Sequence, residues 1–141
     1  MRNFKIDIRI KIYCTTETNT GCETYGSLYF NIGNRPENQN IEIWRREESN
    51  YITTTRDLEY YLDPEPIMFQ EIETFMSSTD EVTFTGEFKE SDPSSTFDIL
   101  AIITGKPNAF VRANQIYNTY QTERFSEGAN YVEIVLRLTY A

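Results

Sequence analysis

Apolar and charged residues alternate with a strict period of two near the start of the chain. Phe4, Ile6, Ile8, Ile10 and Ile12 take one parity, and Lys5, Asp7, Arg9 and Lys11 take the other. Successive side chains of a strand point to opposite faces, so this pattern predicts a β-strand with one face on a core and one in water, the antiparallel habit. Leu28, Phe30 and Ile32 repeat it and stop at the turn-favouring Gly33, Asn34 and Pro36. A weaker run holds Ile41 and Ile43 and ends in Arg45, Arg46, Glu47 and Glu48. Residues 51–54 extend the sheet or lead into the next element.

The middle of the chain changes period. Thr54 and Asp57 stand at capping-box spacing, and Leu58, Tyr61 and Leu62 share one helical face. Asp63-Pro64 is a second start signal, an acidic cap followed by proline at the first helical position. From there Met68, Phe69, Ile72, Phe75 and Met76 span an arc of about 120° on a helical wheel. Ser77, Ser78 and Thr79 end that helix. Period two returns in Val82, Phe84 and Phe88. Residues 97–104 are apolar on both faces, which predicts a central strand. Gly105, Lys106, Pro107 and Asn108 form a turn, a strand over 109–117 follows, and Val132, Ile134, Leu136, Leu138 and Tyr140 alternate to the end. Residues 118–130 show no periodicity and predict a mobile polar loop anchored by Tyr120 and Phe125. The expected fold is α+β in one domain, 1–141. It is mainly antiparallel β-sheet, about seven strands in a sandwich-like or curved arrangement, with one or two short helices inserted between strands 3 and 4.

Composition sharpens this picture in a few places. A chain of 141 residues with ten Tyr and nine Phe is long and aromatic enough for one packed core. Charges interrupt the apolar N-terminal run at every second position, so it reads as neither signal peptide nor membrane span, and a cytoplasmic protein without membrane contact is expected. In a reducing cytosol Cys14 and Cys22 are expected as free thiols, with a bridge across a hairpin as the alternative.

The chain has no histidine. That removes the commonest general base, the usual Ser-His and Cys-His nucleophile pairs and the commonest transition-metal ligand. Two cysteines without histidine do not make the usual four-ligand zinc site, and neither a calcium-loop spacing nor a glycine-rich dinucleotide motif is present. Thr104-Gly105-Lys106 lacks the rest of a phosphate loop, and Pro107 follows where Ser or Thr belongs. Trp44-Arg45-Arg46 would suit stacking and phosphate contact, but Glu47 and Glu48 neutralise it and an acidic protein repels a phosphate backbone. The expectation is no enzyme, no cofactor, no metal and no direct nucleic-acid binding.

Residues 57–81 hold eight carboxylates and no Lys or Arg, so most of the net charge of −9 sits there. Helix-start positions account for Asp57, Glu59, Asp63 and Glu65. Glu71 and Glu73 flank the apolar stripe, and Tyr60 and Tyr61 lie nearby, which makes an acidic, aromatic docking face. With Tyr120 and Phe125, these are the candidate partner-binding residues. The function expected is a non-catalytic acidic binding protein that inhibits or neutralises a basic protein partner, such as a nuclease or another nucleic-acid-binding protein, in the manner of an immunity protein or anti-defence inhibitor. A structural or assembly subunit, for instance of a phage particle, is the alternative, with self-association through exposed strand edges open. A small-ligand-binding domain or a carboxylate-based enzyme comes third.

Overall fold

The computed structural model describes residues 2–14, 22–54, 59–61, 70–91 and 98–140, and gives the backbone alone for residues 2, 59–61, 70–75 and 98. Its strands are β1 (Arg2–Tyr13), β2 (Cys22–Ile32), β3 (Ile41–Arg46), β4 (Ile52–Thr54), β5 (Glu59–Tyr61), β6 (Gln70–Met76), β7 (Glu81–Glu90), β8 (Asp98–Ile102), β9 (Phe110–Arg112), β10 (Gln121–Glu127) and β11 (Asn130–Tyr140). One helical turn, α1 (Ala113–Ile116), and 3-10 turns at Pro36–Asn38 and Glu48–Asn50 complete the described elements. The fold is thus mainly antiparallel sheet with a few short helical pieces, as expected from the alternating runs.

Two sheets face each other. In the first, β11 pairs β1 from Phe4↔Tyr140 to Tyr13↔Tyr131, β10 flanks β11, and β5 and β6 share the other edge of β1. In the second, β2 and β7 pair along Thr24↔Glu90 to Ile32↔Val82, β3 and β4 share one outer edge, and β8 and β9 share the other. The isoleucine row of β1 and Val132, Ile134, Leu136 and Leu138 of β11 meet Leu28, Phe30, Val82, Phe84 and Phe88 in one buried core. Trp44 stacks on Phe88 there, centroids 5.0 Å apart, so it is a core residue and offers no stacking surface.

The central pair of the second sheet is pinched. Gly26 and Gly86 adopt φ of +134° and +150°, and a Cβ on them would lie 2.1 Å from the Glu87 carbonyl oxygen and 2.2 Å from that of Ser27. Only glycine fits that approach. A register shift follows on each flank, opposite Leu28/Tyr29 and Phe88/Lys89. Each bulge turns two successive residues inward, Ile43 with Trp44 and Leu100 with Ala101. That is why residues 97–104 read as apolar on both faces although β8 lies at the sheet edge and not at its centre.

Four expectations are corrected. The helix read across Met68, Phe69, Ile72, Phe75 and Met76 is a strand over Gln70–Met76 (residues 62–69 lie outside the described residues). The long edge of β1 presents backbone donors and acceptors that need partners, and Ile8↔Gln70, Ile6↔Ile72 and Phe4↔Thr74 supply them. The helix through Tyr61 likewise gives way to β5, paired with Lys11–Tyr13. The loop over 118–130 is instead β10 in a hairpin with β11, closed by Gly128 at φ +62° in the first central turn position. Finally, Cys14 and Cys22 are joined in a disulfide, with Cα atoms 6.5 Å apart, because the end of β1 and the start of β2 converge. No helix of the described residues is long and apolar enough to cross a membrane.

Candidate functional site

The expected site residues do not gather at one place. Glu59, Tyr60 and Tyr61 stand in β5, while Glu71 and Glu73 stand in β6 opposite Asp7 and Lys5. Both strands line the same edge of β1, so these acids share one sheet margin instead of the shoulders of a helix. Asp57, Asp63 and Glu65 lie outside the described residues. Phe125 is 2% exposed and belongs to the core, whereas Tyr120 is 51% exposed.

Tyr120 marks a surface that the sequence did not announce. At the end of the first sheet where β1 begins and β11 finishes, Phe4 and Tyr140 are cross-strand partners and their rings stack at 5.0 Å. Tyr117 follows α1 and meets both rings edge-on, at 6.3 Å from Phe4 and 4.9 Å from Tyr140. Its position is fixed by a backbone bridge to Leu138 and by the Asn118 N–H donating to the Leu138 carbonyl at 2.7 Å. Asn118 bends the chain there with φ +60°, a conformation Asn tolerates better than most residues. The rings form the walls of a groove of about 150 Å³ floored by Ala113 and Leu138 and rimmed by Ser78 and Asn114. Tyr117 and Tyr140 remain 38% and 44% exposed despite packing on one another.

Fixed charges stand on the opposite, outer face of the same sheet and do not line the groove. Arg137 lies over the Tyr120 ring at 4.7 Å and donates to Asp7 Oδ2 at 2.8 Å. That hydrogen bond pushes the Arg137 guanidinium further up, so its charge is fixed. Farther along the same outer face, Glu133 accepts from Lys11 at 2.8 Å and from Arg124 Nε at 2.8 Å. Burial would raise the Glu133 carboxyl, but the Lys11 and Arg124 hydrogen bonds outweigh it and hold the pKa below the ordinary value. Arg124 also covers the Tyr131 ring at 3.9 Å, and Tyr131 stacks on Tyr13.

Partly exposed aromatic rings thus stand together at one end of a two-layer scaffold. The class defined by fold and surface is a β-sandwich with an aromatic cluster exposed at one end. No protein-family model matches the sequence, and no curated protein matches it. Among solved structures, the chain is similar to one from the binary protein complex of Cry23Aa1 and Cry37Aa1, with a TM-score of 0.67 over 99% of both chains at 23% identity. It is also similar to part of human GIVD cytosolic phospholipase A2, with a TM-score of 0.50 at 8% identity, covering 99% of this chain and 18% of that one. At these identities the likeness establishes a shared fold.

Proposed function

We propose that this protein is a non-catalytic binding module that docks an apolar side chain of a protein partner in the groove of Phe4, Tyr117 and Tyr140. The observation that carries the reading is the exposure of Tyr117 and Tyr140 in the groove at one end of the sandwich, where rings of this size would otherwise be covered. Tyrosine suits such a role because it brings large contact area and a polar tip at little conformational cost. The chain's lack of histidine, with both cysteines tied in a disulfide, supports a binding role over a catalytic one. The similar chain from the Cry23Aa1–Cry37Aa1 complex works in a protein–protein assembly, which supports a partnered role for the same fold here.

The finer form of the reading is a neutralising one. A partner with a basic surface is drawn toward a chain of net charge −9, and Glu59, Glu71 and Glu73 on the β5–β6 edge strengthen that attraction. The Cys14–Cys22 bridge favours an oxidising compartment over the cytosol. The test uses parallel pull-downs from the native source with the wild type, the Tyr117→Ala/Tyr140→Ala variant and Tyr51→Ala, which removes an exposed ring elsewhere. A partner held by the wild type and by Tyr51→Ala should bind the double variant about 30-fold or more weakly, as loss of a hot spot implies. Equal binding by all three, with unchanged circular dichroism, would refute docking at the groove.

A further inference from the structure

The aromatic groove shares a wall with a larger and chemically different depression. Residues 77–80 form the turn between β6 and β7. Ser78 faces the groove, while Thr79 and Asp80 face a cleft of about 460 Å³. The wall is pinned to α1, since the Ala113 and Asn114 N–H groups donate to the Asp80 and Ser78 carbonyls, each at 2.9 Å.

Hydrogen-bond bookkeeping shows what the cleft has left to offer. The Asn31 amide is used twice, accepting from the Asn40 N–H at 2.7 Å and donating to Thr83 Oγ1 at 3.3 Å. Gln39 Nε2 donates to the Gly33 and Arg35 carbonyls at 3.1 and 3.0 Å, so Gln39 keeps only its oxygen for a ligand. Asp80 Oδ2 accepts from the Ser77 N–H at 2.8 Å, which leaves Oδ1. Glu81 adds a carboxylate whose nearest cation, Arg112 Nε, stands 3.9 Å away. The unused acceptors are Gln39 Oε1, Asp80 Oδ1 and the Glu81 carboxylate, while Asn34, Thr83 and Arg112 keep donors. Two carboxylates against one guanidinium give the lining a formal excess of one negative charge.

A second observation points the same way. Phe110 is 46% exposed on β9, opposite the lining residue Thr83 and two residues from Arg112, so its ring stands beside the cleft on the outer face of the sheet. A negatively biased space beside an aromatic ring fits a planar cation. A metal ion is poorly served, because no three potential ligands come together among the described residues.

We infer that the cleft receives an arginine side chain of the same protein partner that fills the groove. Its guanidinium pairs with the carboxylates of Asp80 and Glu81 and rests on Phe110, so the partner's docking segment carries an apolar anchor and an arginine on either side of the 77–80 turn. The identity of the partner rests on the proposed docking function, but the cleft is tested without it. Amide resonances of the purified protein are followed while N-acetyl-arginine amide, N-acetyl-citrulline amide and N-acetyl-leucine amide are titrated separately. Citrulline has the shape of arginine without the charge. The arginine probe should shift the amides of Gly33, Asp80 and Glu81 with millimolar affinity, and the citrulline probe should not. Glu81→Gln should weaken the arginine response about fivefold, the worth of one exposed ion pair, and Asp80→Asn, which keeps an acceptor for Ser77, should act in the same direction. No response to arginine, or an equal response to citrulline, overturns the inference. The leucine probe reports on Asn114 and Tyr117, so failure at the cleft and failure at the groove are told apart.

Discussion

Gly86→Ala isolates the pinch between β2 and β7. The new Cβ would lie 2.2 Å from the Ser27 carbonyl oxygen and 3.0 Å from the Leu28 Cα, in a backbone with φ +150°. Both obstacles are main-chain atoms of a central strand, so no side chain can swing aside. Holding alanine in that glycine-only region costs about 1–3 kcal/mol. Relieving the clash means prising the strands apart by about 1 Å, which weakens two flanking ladder hydrogen bonds at roughly 1 kcal/mol each. The sum is a loss of about 3–5 kcal/mol, or a fall in Tm of about 12–20 °C for a domain of this size. Gly105→Ala is the control. Gly105 also has positive φ, +78°, but nothing lies within 4 Å of its Cβ position. Only the conformational cost applies there, about 1 kcal/mol. Gly26→Ala should match Gly86→Ala, and the two together should lose less than the sum, because either one opens the same strand pair. Urea unfolding followed by tryptophan fluorescence reads all four, since Trp44 stacks on Phe88 beside the pinch. If Gly86→Ala loses no more stability than Gly105→Ala, the close approach is not what holds these strands.

Two further outcomes follow from features of the first sheet and its junction with the second. Replacing Cys14 and Cys22 by Ser opens a short disulfide loop with a sequence separation of 8, and chain entropy predicts a loss of about 2.5 kcal/mol. Thermal unfolding with and without reductant measures it, and a variant as stable as the wild type would show the bridge to be idle. Glu133 supplies the pH dependence. Its folded pKa is depressed by Lys11 and Arg124. That stabilisation is therefore present above the unfolded carboxylate pKa and is lost as pH falls through the lower folded value. Glu133→Gln should flatten that part of a stability–pH profile, and an unchanged acid limb would show that the network contributes nothing.

Strands with one buried and one water-facing side along their length were legible, and strands whose own pattern is mixed or mostly polar were not. β1 and β11 read directly from alternation, because one face of each is buried along its whole length. β6 did not, because Ile72, Phe75 and Met76 satisfy a helical arc as well as a strand, and only the open edge of β1 decides between them. β10 was hidden for the opposite reason. Thr122, Arg124 and Ser126 face outward, and Phe125 is its single buried apolar residue, so no period rises above the polar background. Among the site residues, Tyr120 was singled out as the anchor of a loop that is in fact a strand hairpin. Tyr117 and Tyr140 were passed over as strand ends. The groove unites Phe4, Tyr117 and Tyr140, so no local window contains it.

That union of residues from distant parts of the sequence governs when the groove can form. Tyr140 is synthesised long after its partner Phe4, whereas β2 and β7 of the second sheet are both complete by residue 90. Such long-range pairing is slow to form and waits on synthesis. The aromatic groove is accordingly completed after the β2–β7 pair, and a chain halted before β11 lacks Leu138 and Tyr140 of its lining. A tag inserted beside Phe4 or Tyr140 would crowd the aromatic rings, so the turn at residues 105–108, on the second sheet, is the better place for a label.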